Sequence, residues 1–481
     1  MHKRKRLILG LGVLAILVVL FVALSYGGLL KKVIDSSSPI PSGICKDCNV
    51  VLISIDTLRA DHLPCYGYEK NTAPNICALA KDSVFFKEPY SVSAWTYPSH
   101  YSMLTGLYPA KKSLLSIDDM VPFNSSTNMI QKMLRKENYS SAAFTNAGFM
   151  DRKWGFSSGF DLYNQTSSGM QARFYYNQEK ISSWLEKEND KFFLFLHGYD
   201  VHTGKTHSFD KNPLNLRTMF YDNGSVSDKC YFALSRPGEN ISACLEIENR
   251  KGYTVSQYDG ALYGSDEYIG RLISELKAKG VYDKTIIIIT SDHGDRFGDH
   301  ERWGHVDNLY QEEISVPLII RIPGVEGKEV DTPVSNLDIA PTILELLGVE
   351  NNYNMDGKSL LPIINGGEGR PIYSITGGKV LPRNDSLIWF SIIEDKMKLI
   401  LAVSENMTGT RLYDLSADPH EKNNVQNESR YAEVYSKINS ALSEWIINLN
   451  LDKSKNDSSK GLEGLGDPEL IEQLRSLGYL N

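Results

Sequence analysis

The strongest constraint on this chain is a set of five short apolar-rich runs at residues 49–56, 141–146, 191–197, 285–292 and 316–321. They read as strands buried on both faces, because a half-exposed strand would alternate polar and apolar residues. Helical stretches lie between them at 125–136, 178–188, 259–279 and 338–347. Strands that alternate with helices predict an α/β fold, a mostly parallel sheet sandwiched by helices and joined by right-handed crossovers. In such sheets ligands bind beyond the carboxyl ends of the strands. The residues found there are Asp56, Asn146, His197 with Asp200 and His202, and Asp292 with His293. Polar, metal-competent side chains therefore gather at the ends of four strands, where a site is expected.

From about residue 370 the pattern shifts to shorter alternating segments at 372–376, 387–393 and 397–403, ending at 412–415. This predicts a small antiparallel C-terminal subdomain closed by a helix over 430–448. The expected divisions are a main domain at 49–369, an α+β subdomain at 370–450 and a polar, Gly-containing tail at 451–481.

Residues 7–30 carry no charge and are long enough to span a bilayer as a helix, and Lys3, Arg4, Lys5 and Arg6 precede them. The expectation is a cytoplasmic basic segment at 1–6, a single-pass membrane anchor at 7–30 and a linker at 31–48. The basic block then leaves the folded body extracellular, at the cell membrane. A cleaved signal peptide is the rival reading, since Ala23, Ser25 and Gly27 are small. A formal net charge of −8 excludes a general nucleic-acid binder, which needs a concentrated basic surface. Six cysteines and nine Asn-x-Ser/Thr sequons, at Asn124, Asn138, Asn164, Asn223, Asn240, Asn384, Asn406, Asn427 and Asn456, fit an oxidising, glycosylating compartment. Cys45 and Cys48 could form a redox or zinc pair, but no second pair with ligand spacing follows, which favours a disulfide or two differently paired thiols. Cys65 with Cys77, and Cys230 with Cys244, suit loop staples.

Asp56, Asp292 and His293 are residue types that hold a hard or borderline divalent cation. The bland alternative is that both carboxylates cap helices at strand-to-helix turns. Five groups of motifs carry a resemblance: 55–62 (IDTLRADH) with 65–67 (CYG); 98–109 (PSHYSMLTGLYP); 290–295 (TSDHGD); 303–305 (WGH) with 316–319 (VPLI); and 412–419 (LYDLSADP) with 421–425 (EKNNV) and 474–480 (LRSLGYL). The chain resembles the sulfatase family over residues 49–481, which implies the alkaline-phosphatase-like fold. The resemblance also implies metal-dependent attack on sulfur or phosphorus and a covalent intermediate that water cleaves.

Sulfatases of that family carry Cys or Ser in a Cys/Ser-x-Pro-x-Arg motif, converted there to formylglycine. The similar stretch here has Thr96 at the nucleophile position and His100 in place of the arginine. No formylglycine is therefore expected, and Thr96 is the expected nucleophile, activated beside one divalent cation held by Asp56, Thr96, Asp292 and His293. A helix beginning near Ser99 would add the favourable field of its amino end. The alternative is that Thr96 and Ser99 only cap that helix. Thr57 stands where many relatives have a second carboxylate, and His293 shifts the site toward a metal that tolerates nitrogen, although Zn, Mn, Mg and Ca remain open.

His202 and His305 are the candidates for oxyanion contact and leaving-group protonation, with His100 as a further catalytic candidate and Asn146 and His300 as substrate contacts. A structural histidine is the alternative for each. The expected partner is a sulfated or phosphorylated substrate, such as a glycan or lipid head group, with no nucleic acid. Loss of the formylglycine route leans the chemistry toward phosphoester or phosphodiester hydrolysis. The rivals are a membrane-anchored transferase that passes a phosphate-linked head group to a surface glycan, and a surface binding protein without turnover.

Overall fold

The computed structural model describes residues 39–109, 112–115, 120–124, 126–146, 148–166, 174–188, 191–202, 219–220, 247–379, 386–404 and 408–449. The basic segment, the apolar run at 7–30, Cys230, Cys244 and the tail lie outside them. Among the described residues no helix is long and apolar enough to cross a membrane.

The main sheet has eight strands in the order β11-β2-β10-β7-β1-β6-β4-β5. They are β1 (Asn49–Ile55), β2 (Val84–Phe86), β4 (Ser140–Asn146), β5 (Leu162–Thr166), β6 (Phe192–Gly198), β7 (Thr285–Thr290), β10 (Leu318–Arg321) and β11 (Lys328–Val330); the two-residue strands β3 (Pro89–Tyr90), β8 (Arg296–Phe297), β9 (Trp303–Gly304) and β12 (Val334–Ser335) pair outside it. Within the main sheet all run parallel except β10, which is antiparallel to both of its neighbours, β2 and β7. The expectation of a mostly parallel sheet holds. β10 reverses because the stretch between it and β7 contains two-residue strands and single helical turns, too little helix for a parallel crossover. Strands β2, β5 and β11 were not among the expected runs, being only three to five residues long.

Both faces of the sheet are covered. Val50 and Leu52 of β1 pack with Met103, Leu104, Ile130, Leu134 and Ile343, which lie on α2 (Thr96–Thr105), α3 (Ile130–Lys136) and α6 (Ile339–Leu347). Val51, Ile53 and Ile55 pack with Ile76, Ile181, Leu262, Ile269 and Leu272, on α1 (Pro74–Lys81), α4 (Phe174–Lys187) and α5 (Ile247–Ala278). Burial of each such side chain is worth about 1.5–3 kcal/mol, so a one-residue slip of β1 would exchange its two packed faces and is strongly disfavoured.

Helix ends follow local chemistry. α1 starts at Pro74, and its Asn75 and Ile76 amides donate to the Asp266 carboxylate of α5 at 2.9 and 2.7 Å. The helix expected over 125–136 begins only at Ile130, because Asn124 accepts from the Ser126 and Thr127 amides and forms a turn that competes with the helix. α5 starts at Ile247, twelve residues before the expected 259, since its polar first turns carry no apolar stripe.

The C-terminal subdomain is an antiparallel meander of β13 (Ile372–Lys379), β14 (Ser386–Glu394), β15 (Met397–Val403) and β16 (Thr408–Asp414). Ile438, Leu442 and Ile446 of α7 (Ala432–Asn448) recur every four residues and cover one face, against Phe390, Ile392 and Leu399. The other face, with Trp389, Ile393, Ile400 and Tyr413, packs on Tyr90, Leu309, Tyr310 and Ile314 of the main domain.

Cys45–Cys48 and Cys65–Cys77 are disulfides. The second joins the turn after β1 to α1 across a separation of 12 residues, so replacing both of its cysteines by serine should cost about 2–4 kcal/mol in a denaturant titration. A loss below about 1 kcal/mol would contradict a role in holding that turn.

Candidate active site

The site forms where β1, β6 and β7 end beside the amino end of α2. Asp56 follows β1 directly, and its amide donates to Gly198 O at 2.9 Å, extending the pairing with β6 by one rung. Thr57 then takes a left-handed φ of 57°, which is costly for a β-branched residue and marks strain held by its surroundings. Its amide donates to Asp292 Oδ1 at 3.3 Å, and its carbonyl accepts from the Tyr258 hydroxyl at 2.9 Å. Ser291 Oγ donates to Ile55 O at 2.6 Å and accepts from the Leu58 amide at 2.9 Å, tying the ends of β1 and β7 together. Gly294 is required sterically, because a Cβ there would collide with Glu312 O.

Within this frame His293 Nε2 lies 3.4 Å from Thr96 Oγ1, 3.6 Å from Asp56 Oδ1 and 3.5 Å from Asp292 Oδ2. All four side chains are essentially buried. His293 Nδ1 donates to Gly294 O at 2.8 Å, and since a carbonyl only accepts, the proton sits on Nδ1 and the Nε2 lone pair faces the cluster. Asp292 Oδ2 has no hydrogen-bond partner among the described residues, and the Asp56 oxygens have none of good geometry beyond the nearby Tyr199 hydroxyl. Burial, and next the Asp292 carboxylate, push the Asp56 carboxyl well above its usual range. Burial also opposes ionisation of Asp292, but His293, His100 and His197 outweigh it and bring that carboxyl down to about 2. Burial lowers His293 to about 4, so the imidazole is neutral at pH 7. Paired carboxylates with bare oxygens beside a neutral imidazole fit a divalent cation, and Asp56, Asp292 and His293 offer ligand atoms within 4.8 Å of one another.

The capping alternatives are not realised. α2 begins at Thr96 rather than near Ser99, its N-cap is Trp95, and no side chain caps it. Ser99 Oγ donates to Ser93 O instead, at 2.9 Å. Asp292 Oδ1 accepts from Thr57 and His293 amides that begin no helix.

A family model described as Sulfatase matches residues 48–349, and one described as N-sulphoglucosamine sulphohydrolase, C-terminal, matches residues 298–448. The chain belongs to the sulfatase family. The uncharacterized sulfatase YidJ of Escherichia coli (strain K12) is 24% identical over 450 residues, covering 83% of this chain and 87% of that protein. The ulvan-active sulfatase of Formosa agariphila is 24% identical over 460 residues, covering 90% and 86%. The crystal structure of the phosphonate monoester hydrolase of Agrobacterium radiobacter shares the fold, with a TM-score of 0.68, 21% identity and coverage of 85% and 98%. This sulfatase is thus an ester hydrolase of the sulfate and phosphate class with an alkaline-phosphatase-like fold.

The remaining expected residues of the sulfatase fall into three groups. His202 and His305 stand beside the cluster: their rings meet edge-on at 5.0 Å, and the His305 ring is 4.5 Å from that of His293. Both are partly open to solvent, and His305 Nδ1 lies 3.3 Å from Asp295 Oδ1. His100 is wholly buried behind Thr96, with Nδ1 donating to Thr96 O at 2.9 Å and Nε2 accepting from Ser54 Oγ at 3.0 Å. Asn146 closes β4, two strands from β1.

His300 is not brought to the cluster. It lines a separate cavity of about 1020 Å³ with Arg59, Lys251 and His420, stacked 3.7 Å from Tyr310 and bonded to Glu312 Oε1 at 2.7 Å. Burial would lower His300, but the Glu312 hydrogen bond and its neighbours raise it. A raised folded pKa stabilises the protein fully below the unfolded value of about 6.5 and loses that contribution as pH rises through the folded value. The melting-temperature gap between wild type and His300→Gln should therefore narrow as pH rises above about 6.5, and a gap that widened would contradict the assignment.

His197, placed by the sequence only at a strand end, also reaches the cluster, with Nε2 3.6 Å from Asp56 Oδ2. Tyr258, which holds Thr57, and Ser54, which holds His100, carried no motif signal.

Proposed function

We propose that this sulfatase cleaves phosphoesters, phosphodiesters above sulfate monoesters, with Thr96 as nucleophile. The carrying observation is the placement of Thr96 Oγ1 at the first position of α2, free of any capping bond, 3.4 Å from His293 Nε2. Asp56, Asp292 and His293, with Thr96, would hold one divalent cation, which would lower the pKa of the Thr96 hydroxyl and offset negative charge on the reacting group. Thr96 Oγ, which would give its proton up to solvent as the cation binds, forms the new bond to phosphorus while the bond to the ester oxygen breaks. His305 or His202 donates a proton to the departing oxygen, and the same group then takes one from the water that cleaves the Thr96 ester. The amino end of α2 favours the anionic group held there. His100 keeps Thr96 in place from behind.

Threonine offers no route to formylglycine, which supports the lean away from sulfate. A membrane anchor at 7–30 with an extracellular body is part of the reading, supported by the two disulfides and by the exposure of Asn124, Asn138 and Asn427. Asn164 is less open and bonds Asn177 at 3.1 Å.

The test compares aryl sulfate, aryl phosphate and aryl phosphodiester hydrolysis with and without chelator. Chelator-sensitive turnover that favours the diester supports the reading. A preference for the sulfate, or turnover indifferent to chelator, would overturn it.

A further inference from the structure

We infer that His197 is a further ligand to the proposed cation, through Nε2, and that the resulting set of two carboxylates and two imidazoles, joined by the Thr96 hydroxyl, selects zinc over calcium. The inference rests on the metal site of the proposed function and adds to it a residue that the sulfatase motifs do not mark.

His197 lies in β6, next to β1, and its side chain is fully buried. Its Nδ1 faces Ser54 O at 3.2 Å, and because that carbonyl only accepts, Nδ1 carries the proton. Nε2 is then a lone-pair donor, and among the described residues it has no hydrogen-bond partner. Its near neighbour is Asp56 Oδ2 at 3.6 Å. Two groups with facing lone pairs in a buried space need a shared proton or a nearby cation, and a cation close to both satisfies them together.

The geometry of His197 repeats that of His293. Each imidazole gives Nδ1–H to a main-chain carbonyl and turns Nε2 toward Asp56. A histidine that binds a metal ordinarily anchors its other nitrogen in this manner, which fixes both tautomer and ring orientation. His100, in edge-on contact with the His197 ring at 4.3 Å, is different, because both of its nitrogens are used within the protein. Burial beside these groups therefore separates a ligand from a support.

Spacing agrees. Ligand atoms about 2.1 Å from one zinc ion with four or five ligands stand about 3.0–3.6 Å apart. The pairs His197 Nε2 with Asp56 Oδ2, His293 Nε2 with Asp56 Oδ1, and His293 Nε2 with Asp292 Oδ2 measure 3.6, 3.6 and 3.5 Å. Two carboxylates match the charge of a divalent ion, and two neutral imidazoles suit zinc, whereas calcium takes six to eight oxygen ligands.

The experiment loads the full protein with zinc, measures affinity and stoichiometry by competition, and counts imidazole ligands by X-ray absorption at the zinc edge. Wild type should bind one zinc with two imidazoles. His197→Ala should weaken zinc binding by about 100-fold or more, at least as much as loss of an outer partner costs, and show one imidazole. His100→Ala should keep two. If His197→Ala does not fold, the wild-type count decides alone, since one imidazole there overturns the inference. Zinc lost in Asp292→Ala but held unchanged in His197→Ala would overturn this inference and leave the proposed site standing. Zinc binding to neither wild type nor any variant would overturn both, and two zinc ions per chain would overturn the single-ion arrangement.

Discussion

Thr96→Ala should lower turnover by roughly 10⁴- to 10⁶-fold while leaving the melting temperature within a few degrees of wild type, the scale of loss expected when a nucleophile is removed from an assembled site. The two readouts separate chemistry from structure. A threonine that mattered through capping would cost about 1 kcal/mol on truncation, but α2 is not capped by any side chain, so the hydroxyl has no such role to lose. Thr96→Ser keeps the oxygen in place and should retain activity within roughly two orders of magnitude, since only a methyl group is removed. Mass spectrometry after rapid quench should find the substrate's phosphoryl group on the peptide that carries Thr96. Full activity in Thr96→Ala, or an adduct elsewhere, would exclude Thr96 as the nucleophile.

Lys398→Ala should destabilise the protein by about 3–5 kcal/mol, because it would leave a carboxylate buried without its counter-charge. Lys398 Nζ lies 2.7 Å from Glu421 Oε1, and both side chains are inaccessible to solvent. Burial lowers Lys398 and raises Glu421, and each is opposed by the charge of the other. Glu421 also accepts from the Gln311 amide at 2.6 Å and, through its own carbonyl, from His300 Nε2 at 3.0 Å. The pair thus joins β15 to residues 300–311, the stretch that also carries His305. Pairing Lys398→Met with Glu421→Gln removes both charges and should recover part of the loss, as replacement of a buried ion pair by neutral groups of similar size commonly does. A loss in Lys398→Ala below about 1 kcal/mol by chemical denaturation would show that the pair contributes little to docking the subdomain.

Much of the architecture was legible because burial leaves a local record. The apolar runs became β1, β4, β6, β7 and β10, and the four C-terminal strands and α7 formed within a few residues of expectation. The polar residues that close β1, β6 and β7 foretold where Asp56, His202, Asp292 and His293 would meet, because a parallel sheet brings its carboxyl ends to one edge. Errors fell where local pattern is weak: in the three-residue strands, in the polar first turns of α5, and in the turn at Asn124 that displaced the start of α3.

The sequence by itself determined the layered α/β scaffold, the C-terminal meander, the family and the residue types at the strand ends, since periodicity and motif are properties of neighbours along the chain. Tertiary structure decided which histidines have a lone pair to offer. His100, His197 and His293 are all buried, and although motifs mark His293 and His100, nothing in the local sequence says which nitrogens are free. What separates them is whether the far nitrogen meets a serine hydroxyl, as in His100, or faces bare carboxylate oxygens, as in His197 and His293. Those partners come from elements up to 237 residues away along the chain, as Asp56 is from His293, so only folding brings them within a few ångströms.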